Sequence, residues 1–344
     1  MKKVVKHYYW VDLLKILACF LVIINHTGGY LLQYSGNENL FIVLFYIFNF
    51  VFCKVAVPIF LMVSGVLLLS RNSNYKEIGK RIFRVLVPLV VLSAFIYFRN
   101  NHVGFNHFGN FLISFFEKPL ADPFWYLYML IGLYLVMPFL QKIVKNFRLK
   151  DYKYFIIICL LLPSLLPVIS MYLPIVFNSN FTSALFSMSI GYFVAGFYLS
   201  RVELSKRNRN IAIVLCIIFL ALFACSMIIP YVNSGTILYK LDSWCYITTV
   251  IPSLSLFYLI RYYFEKYKFN DRLKHVISMV ASLTFGIYLF HSLIIYNVYS
   301  LSFVQKIFDF SSYIGIIITE ILVFLLAGAV TFVLKKIKYV KDFL

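Results

Sequence analysis

The stretch "VDLLKILACFLVIINH", residues 11–26, is an apolar run that contains three ionisable side chains, Asp12, Lys15 and His26. Its length and hydrophobicity are typical of a transmembrane helix, which needs about 20 apolar residues to cross the bilayer. A charged group inside the hydrocarbon costs free energy. The three polar residues therefore need an explanation in membrane topology, in helix packing or in chemistry.

The rest of the chain has the same character. Of its 344 residues, 62% are hydrophobic and 13% are charged, whereas about a quarter of the residues in soluble domains are charged. This composition predicts an all-α, polytopic integral membrane protein with about ten transmembrane helices, forming a single domain over residues 1–344. The predicted spans are residues 10–32, 41–70, 82–98, 124–140, 154–170, 182–200, 210–229, 243–263, 277–299 and 312–334.

The distribution of positive charge predicts the orientation of these helices. If the N-terminus is cytoplasmic, most of the 32 Lys and Arg residues lie in cytoplasmic segments. The outer segments then hold only Arg99, Lys118, Lys240 and Lys306. This asymmetry indicates that both termini are cytoplasmic. The net charge of +19 is explained by loops that face an anionic lipid leaflet, so we predict membrane lipids and no nucleic acid as partners.

The spacing of the polar residues in the first helix suggests a functional face. Lys15 and His26 are eleven positions apart, so they share a helix face to within roughly 20° and lie ~16 Å apart along the axis. Asp12 is one turn before Lys15 and close enough to pair with it. Interfacial snorkelling of Lys15 and an ordinary interhelical hydrogen bond of His26 are the structural alternatives.

Two further basic features stand out. Lys54 lies near the middle of the second span without a charged neighbour in sequence, and Pro58 is expected to kink that helix. Arg81 and Arg84 form a basic cluster at the start of the third span. Such clusters commonly serve only as topology signals, but Arg84 lies one turn into the apolar run, where its guanidinium group is suited to binding phosphate.

Taken in order, these segments resemble the membrane acyltransferase-3 family of acyl-CoA-dependent O-acyltransferases over residues 8–335. The matching segments are "WVDLLKILACFLVIINH", "KVAVPIFLMVSG", "RIFRVLVP", "FWYLYMLIGLYLVMP" and "FGIYLFH". Lys15 and Lys54 stand where the family more often has Arg. Pro123 and Phe124 precede Trp125 where the family commonly has a His, so no role for that His is carried over.

The resemblance implies transfer of an acyl group from an acyl-CoA, with His26 as the general base. A neutral imidazole suits the removal of a hydroxyl proton near pH 7, and cations stabilise the tetrahedral oxyanion. Glu320 is expected to be the countercharge of Lys54 or to hydrogen-bond a His. The implied site residues are His26, Lys15 and Asp12 for catalysis, Lys54, Arg81 and Arg84 for the donor, and His291, Trp125, Tyr288 and Glu320 for the acceptor or for orientation.

The leading hypothesis is a multi-pass O-acyltransferase of the bacterial plasma membrane, most simply an O-acetyltransferase. Its co-substrate is acetyl-CoA or another acyl-CoA, and its acceptor is a cell-surface polysaccharide or a lipid-linked sugar. No bound cofactor and no metal are expected, since the six Cys residues have no metal-binding spacing. The oligomeric state is left open. The alternative is a polysaccharide or polar-solute transporter, whose path buried charges and kinked helices would also line.

Arg84→Ala is expected to weaken CoA binding more than acceptor use, because the basic cluster is predicted to bind the CoA phosphates. Isothermal titration of the purified protein with CoA measures this affinity. An unchanged affinity would leave the cluster as a topology signal only.

Overall fold

The computed structural model describes residues 7–28, 39–101, 104, 107–175, 177 and 188–344. Every regular element in these ranges is helical, and they contain no β-strand. The prediction of an all-α protein is confirmed. Of the predicted spans, nine correspond to helices in the described ranges that are long and apolar enough to cross a membrane. The remaining span, 182–200, is represented by the shorter apolar helix Met188–Leu199, and its residues 182–187 lie outside the described residues.

The helices are numbered in chain order. They are α1 (Tyr9–Gly28), α2 (Leu40–Cys53), α3 (Ala56–Leu68), α4 (Tyr75–Asn101), α5 (Phe108–Glu117), α6 (Trp125–Lys145), α7 (Leu149–Ile156), α8 (Leu162–Tyr172), α9 (Met188–Leu199), α10 (Lys206–Ser234), α11 (Ile247–Phe264), α12 (Asp271–Tyr299), α13 (Ser302–Phe310) and α14 (Ser312–Leu334). A 3₁₀ turn precedes α6 and another, Lys341–Phe343, follows α14.

The second membrane span is interrupted one turn before its proline. Helix α2 ends at Cys53 and α3 begins at Ala56, with Lys54 and Val55 in a turn between them. Pro58 has no N–H, so it cannot bond to the carbonyl of Lys54 four residues earlier. The distortion predicted from Pro58 therefore lies at Lys54 itself. The side chain of Lys54 thus starts from a break in the helix.

Three local features were not predicted from the sequence. The fifth span contains a π-helical turn, Ile157–Leu161, between α7 and α8. The other two are the short helices α5 and α13, which lie in segments that we predicted to be connections. A short helix of this kind gives too brief an apolar run to be distinguished from a loop in a membrane protein.

The described residues form two compact units. The first consists of the residues up to Ser70 with Phe147–Gly328, and the second of Arg71–Asn146 with Ala329–Leu344. In the first unit α1 packs against α2, α3, α11 and α12. Consistent with a central position in this unit, 56% of the most apolar stretch of α1 is buried inside the protein, against 17% of that of α10. In the second unit α4 packs against α5, α6 and the last 3₁₀ turn.

Small residues allow α3 and α9 to approach each other closely. A Cβ atom added to Gly65 would overlap the carbonyl oxygen of Phe193, and one added to Gly196 would overlap that of Met62. Close backbone approach through glycine is a common way for membrane helices to associate, because lipid gives no hydrophobic driving force between them. These glycines fix the position of α3, which continues from the break at Lys54.

Gly196→Ala is expected to destabilise the protein by ~1–3 kcal/mol, because the added methyl group must displace the α3 backbone. Gly328→Ala is the matched control in the same unit, since its Cβ would make only ordinary contacts of 3.7 Å with Ile287. Thermal unfolding of both variants in detergent measures the difference. An equal melting temperature for the two would contradict the close packing.

Candidate active site

At the start of α1, Asp12 is held between two basic side chains. Its Oδ1 accepts a hydrogen bond from Lys15 Nζ at 2.8 Å, and its Oδ2 lies 2.7 Å from His7 Nε2. The Asp12 side chain is only 5% exposed, whereas that of Lys15 is 26% exposed. The predicted pairing of Asp12 with Lys15 is therefore present. His7 adds a second partner and also lies 3.3 Å from Ser278 Oγ of α12.

Towards the other end of α1, the structure brings two histidines together. The ring centroids of His26 and His291 are 5.2 Å apart, with the planes inclined at 45°. The Tyr288 ring lies 5.7 Å from the His291 ring. The first contact follows from the packing of α12 along α1, and the second joins residues one turn apart on α12. His26 thus forms one cluster with His291 and Tyr288, which lie far from it in the sequence.

The hydrogen bond of His291 defines which ring nitrogen carries its proton. Nδ1 lies 2.6 Å from the backbone carbonyl oxygen of Tyr288. A carbonyl oxygen only accepts hydrogen bonds, so Nδ1 must be the donor. In the neutral ring Nε2 then holds the lone pair. The residue is fully buried, and Nε2 has no hydrogen-bond partner among the described residues. His291 therefore presents an unsatisfied basic nitrogen within the protein interior.

Glu320 joins the same region from α14. Its Oε1 accepts a hydrogen bond from Thr27 Oγ1 at 3.0 Å, and Glu320 is 4% exposed. The carbonyl of Thr27 accepts a further hydrogen bond from the Tyr299 hydroxyl of α12, also at 3.0 Å. These bonds connect the residue after His26 to two other helices. They restrict the orientation of α1 where it carries the imidazole.

Lys54 is bound to α1 and to a carboxylate that was not predicted from the sequence. Its Nζ donates to Asn25 Oδ1 at 2.9 Å, pairs with Asp242 Oδ1 at 2.7 Å and lies 3.9 Å from the Phe50 ring centroid. The first of the two roles expected for Glu320, countercharge of Lys54, is wrong, because Asp242 fills that role. The second, a hydrogen bond to a His, stays a prediction. Asp242 was missed because it lies in the connection between α10 and α11, almost 190 positions further along the chain.

Asn25 and Thr27 were also missed, although both flank His26 in the sequence. Their significance depends on which helices approach α1, and a single apolar segment does not define this. A sequence signal did exist for Asp242, since it is the only acidic residue in the connection between α10 and α11. A buried cation must find an anion, so such an isolated acid is a candidate partner.

The remaining predicted residues lie in the second unit. Arg81 is half-buried, and Arg84 is exposed and donates through Nη2 to the backbone carbonyl of Leu344 at 2.8 Å. Burial and the charge of Arg84 lower the pKa of Lys335, so these two cations are close enough to interact. Trp125 is half-buried at the start of α6, with its ring 6.2 Å from that of Tyr126. This unit thus contains a local concentration of positive charge.

The fold and the buried polar cluster define a multi-pass membrane protein with imidazole and carboxylate groups enclosed by its helices. The model of the acyltransferase-3 family, which is described as an acyltransferase domain, matches residues 8–335. The chain therefore belongs to this family, which confirms the resemblance deduced from the five segments. Comparisons with curated proteins and with solved structures gave no match.

The Lys54–Asp242 pair is expected to be energetically coupled. In a double-mutant cycle of Lys54→Met and Asp242→Asn, we expect a coupling of ~0.5–3 kcal/mol, as found for residues in direct contact. Thermal unfolding in detergent supplies the four stabilities. In the control cycle Asp309→Asn, at an exposed carboxylate on α13, takes the place of Asp242→Asn. Coupling no larger than in this control would contradict the observed pair.

Proposed function

We propose that the protein is an O-acyltransferase of the bacterial plasma membrane that transfers an acetyl group from acetyl-CoA to a sugar hydroxyl. The acceptor is a cell-surface polysaccharide or a lipid-linked sugar. The single observation that carries this proposal is the contact between the His26 and His291 rings inside a chain of the acyltransferase-3 family. The His291 imidazole is fully buried and that of His26 is half-buried, so the two rings in contact offer a base that the protein partly shields from bulk water.

In the proposed reaction an imidazole removes the proton of the acceptor hydroxyl. The hydroxyl oxygen attacks the thioester carbon, which forms a tetrahedral intermediate with a negatively charged oxygen. The carbon–sulfur bond then breaks, and the CoA thiolate leaves and takes up the proton from the imidazolium. His26 is proposed as the base, and His291 orients it or accepts the proton through Nε2. Asp12 and Lys15 are proposed to support this reaction from the same helix.

The donor is proposed to bind through the cations of the chain. CoA carries several phosphate groups, and guanidinium groups bind phosphate through paired, charge-assisted hydrogen bonds. Arg81 and Arg84 are proposed for this role, and the nearby charge of Lys335 increases the local positive potential. Lys54 is proposed to act closer to the acyl group. Acyl-CoA enters as a co-substrate, and the reaction as written needs no bound cofactor.

A transporter remains the second hypothesis for the same buried charges, but membership of the acyltransferase family favours the enzyme. The two are separated by the fate of the acyl label. An acyltransferase moves radioactivity from acetyl-CoA to the glycan in detergent solution, where no transmembrane gradient exists. A transporter moves an unmodified solute across sealed vesicles.

His26→Ala is expected to lower acetyl transfer by at least about 100-fold, the contribution typical of a general acid–base group. The measurement uses purified protein, radiolabelled acetyl-CoA and fractionated envelope glycans. His275→Ala is the control, because His275 is an exposed residue on α12. Gel filtration confirms that the variants remain folded. Near-normal transfer by His26→Ala would remove this residue from the mechanism, and no transfer by the unmodified protein to any glycan fraction would contradict the proposed acceptor.

A further inference from the structure

The connection between α10 and α11, residues 235–246, contacts the second membrane span at its break, through Asp242 and Lys54. Helix α10 ends at Ser234, and the next residue, Gly235, has a φ of 68°, the left-handed conformation that favours glycine. From there the chain reaches Asp242, which pairs with Lys54. Lys54 in turn binds Asn25, the residue before His26. One ammonium group therefore links this connection to the helix of the proposed catalytic base.

The α10–α11 connection is held in place by contacts on both sides of Asp242. The Tyr239 ring lies 5.5 Å from the Phe50 ring, and Leu241 is buried in a hydrophobic cluster with residues of α2 and α10. After Asp242, the Trp244 carbonyl accepts a hydrogen bond from the Tyr192 hydroxyl at 2.8 Å. These contacts give Asp242 a defined position, as a binding residue requires.

Asp242 has binding capacity beyond its ion pair. Its side chain is 36% exposed, whereas that of Lys54 is 14% exposed. The pair uses Oδ1, so the second oxygen, Oδ2, of this partly exposed side chain is not needed for the contact with Lys54. An ionised carboxylate only accepts hydrogen bonds, so Oδ2 is suited to a group that donates one. A sugar hydroxyl is such a group.

The aromatic residues beside Asp242 fit the same type of ligand. Tyr239 is 41% exposed, and Trp244 is half-buried. Tyr and Trp combine an apolar ring face with a polar edge. The apolar C–H faces of a sugar ring pack on aromatic rings while its hydroxyls bind carboxylates. A carboxylate between two aromatic residues therefore matches a polyhydroxylated ring better than it matches an apolar alcohol.

We propose that the α10–α11 connection is the binding site for a sugar acceptor, with Asp242 dividing its oxygens between Lys54 and an acceptor hydroxyl. Asp242 then holds the acceptor while the Lys54–Asn25 contact fixes its position relative to α1. This inference rests on the proposed function for the identity of the acceptor. The binding itself is testable without acyl transfer.

The binding test uses isothermal titration of the unmodified full chain, purified in detergent, with simple sugars. The probes are the methyl glycosides of glucose, galactose and N-acetylglucosamine, with tetrahydropyran as a ring without hydroxyls. At least one glycoside is expected to give a saturable heat of binding, and tetrahydropyran none. Asp242→Asn is expected to weaken that binding about tenfold or more, as the loss of a hydrogen bond to a charged group predicts. Asp309→Asn is the matched control and is expected to leave the affinity unchanged.

A second arm separates direct binding from support of Lys54. If Asp242 contacts the sugar, Asp242→Asn weakens binding about tenfold also in a Lys54→Met background. If Asp242 serves only as a countercharge, the substitution has no further effect there, and the proposal is overturned. It is also overturned if no glycoside gives a saturable signal in folded protein, as judged by gel filtration.

Failure of the proposed sugar site can be distinguished from failure of the proposed acyltransferase function. Acetyl transfer to glycans with no effect of Asp242→Asn on glycoside binding would refute the sugar site and leave the enzyme assignment standing. Asp242-dependent glycoside binding in a protein that transfers no acetyl group would support the site and contradict the enzyme assignment.

Discussion

The architecture depends on one constraint: helix α1 must satisfy its polar side chains without bulk water. An unsatisfied polar group in hydrocarbon costs several kcal/mol on transfer scales, so each needs a partner within the protein. Asp12 binds Lys15, Asn25 binds Lys54, and Thr27 binds Glu320. Two of these partners lie on other membrane spans. The polar residues of α1 therefore specify its neighbours as well as its chemistry.

The same constraint explains why the second span is broken where it is. A continuous helix at Lys54 would need an N–H at position 58, which proline lacks. The turn at Lys54 and Val55 places the ammonium group where Asn25, Asp242 and the Phe50 ring all reach it. Close packing of α3 on α9 through Gly65 and Gly196 then fixes the second half of the span. Non-helical backbone at membrane depth is tolerated because it is surrounded by protein.

The main elements of the fold and the family could be predicted from the sequence, but the partners that polar residues find on other helices could not. Long apolar runs between basic segments are sufficient to locate spans, and Asp12 and Lys15 could be paired because they lie one turn apart on one helix. Asp242 could not be paired with Lys54 in this way, since the contact depends on how α10 packs against α2. The assignment of Glu320 to Lys54 failed for the same reason: in the sequence, either carboxylate is available to the cation. His291 was predicted to orient the base or to bind the acceptor, but its contact with His26 depends on how α12 packs along α1.

The proton position on His291 is a further result that only the three-dimensional structure gives. Its Nδ1 faces the Tyr288 carbonyl because both residues lie on consecutive turns of α12, which leaves Nε2 as the basic nitrogen. The proposed function therefore requires that acyl transfer take place beside the His26 and His291 rings. The most direct test is an experimental structure of the protein with an acetyl-CoA analogue in which a methylene group replaces the sulfur. We expect the analogue's carbonyl carbon to lie beside these two rings, close enough to an imidazole for an acceptor hydroxyl to bridge the nitrogen and the carbon. A carbonyl bound elsewhere, with the two rings still in mutual contact, would contradict the proposed site of transfer.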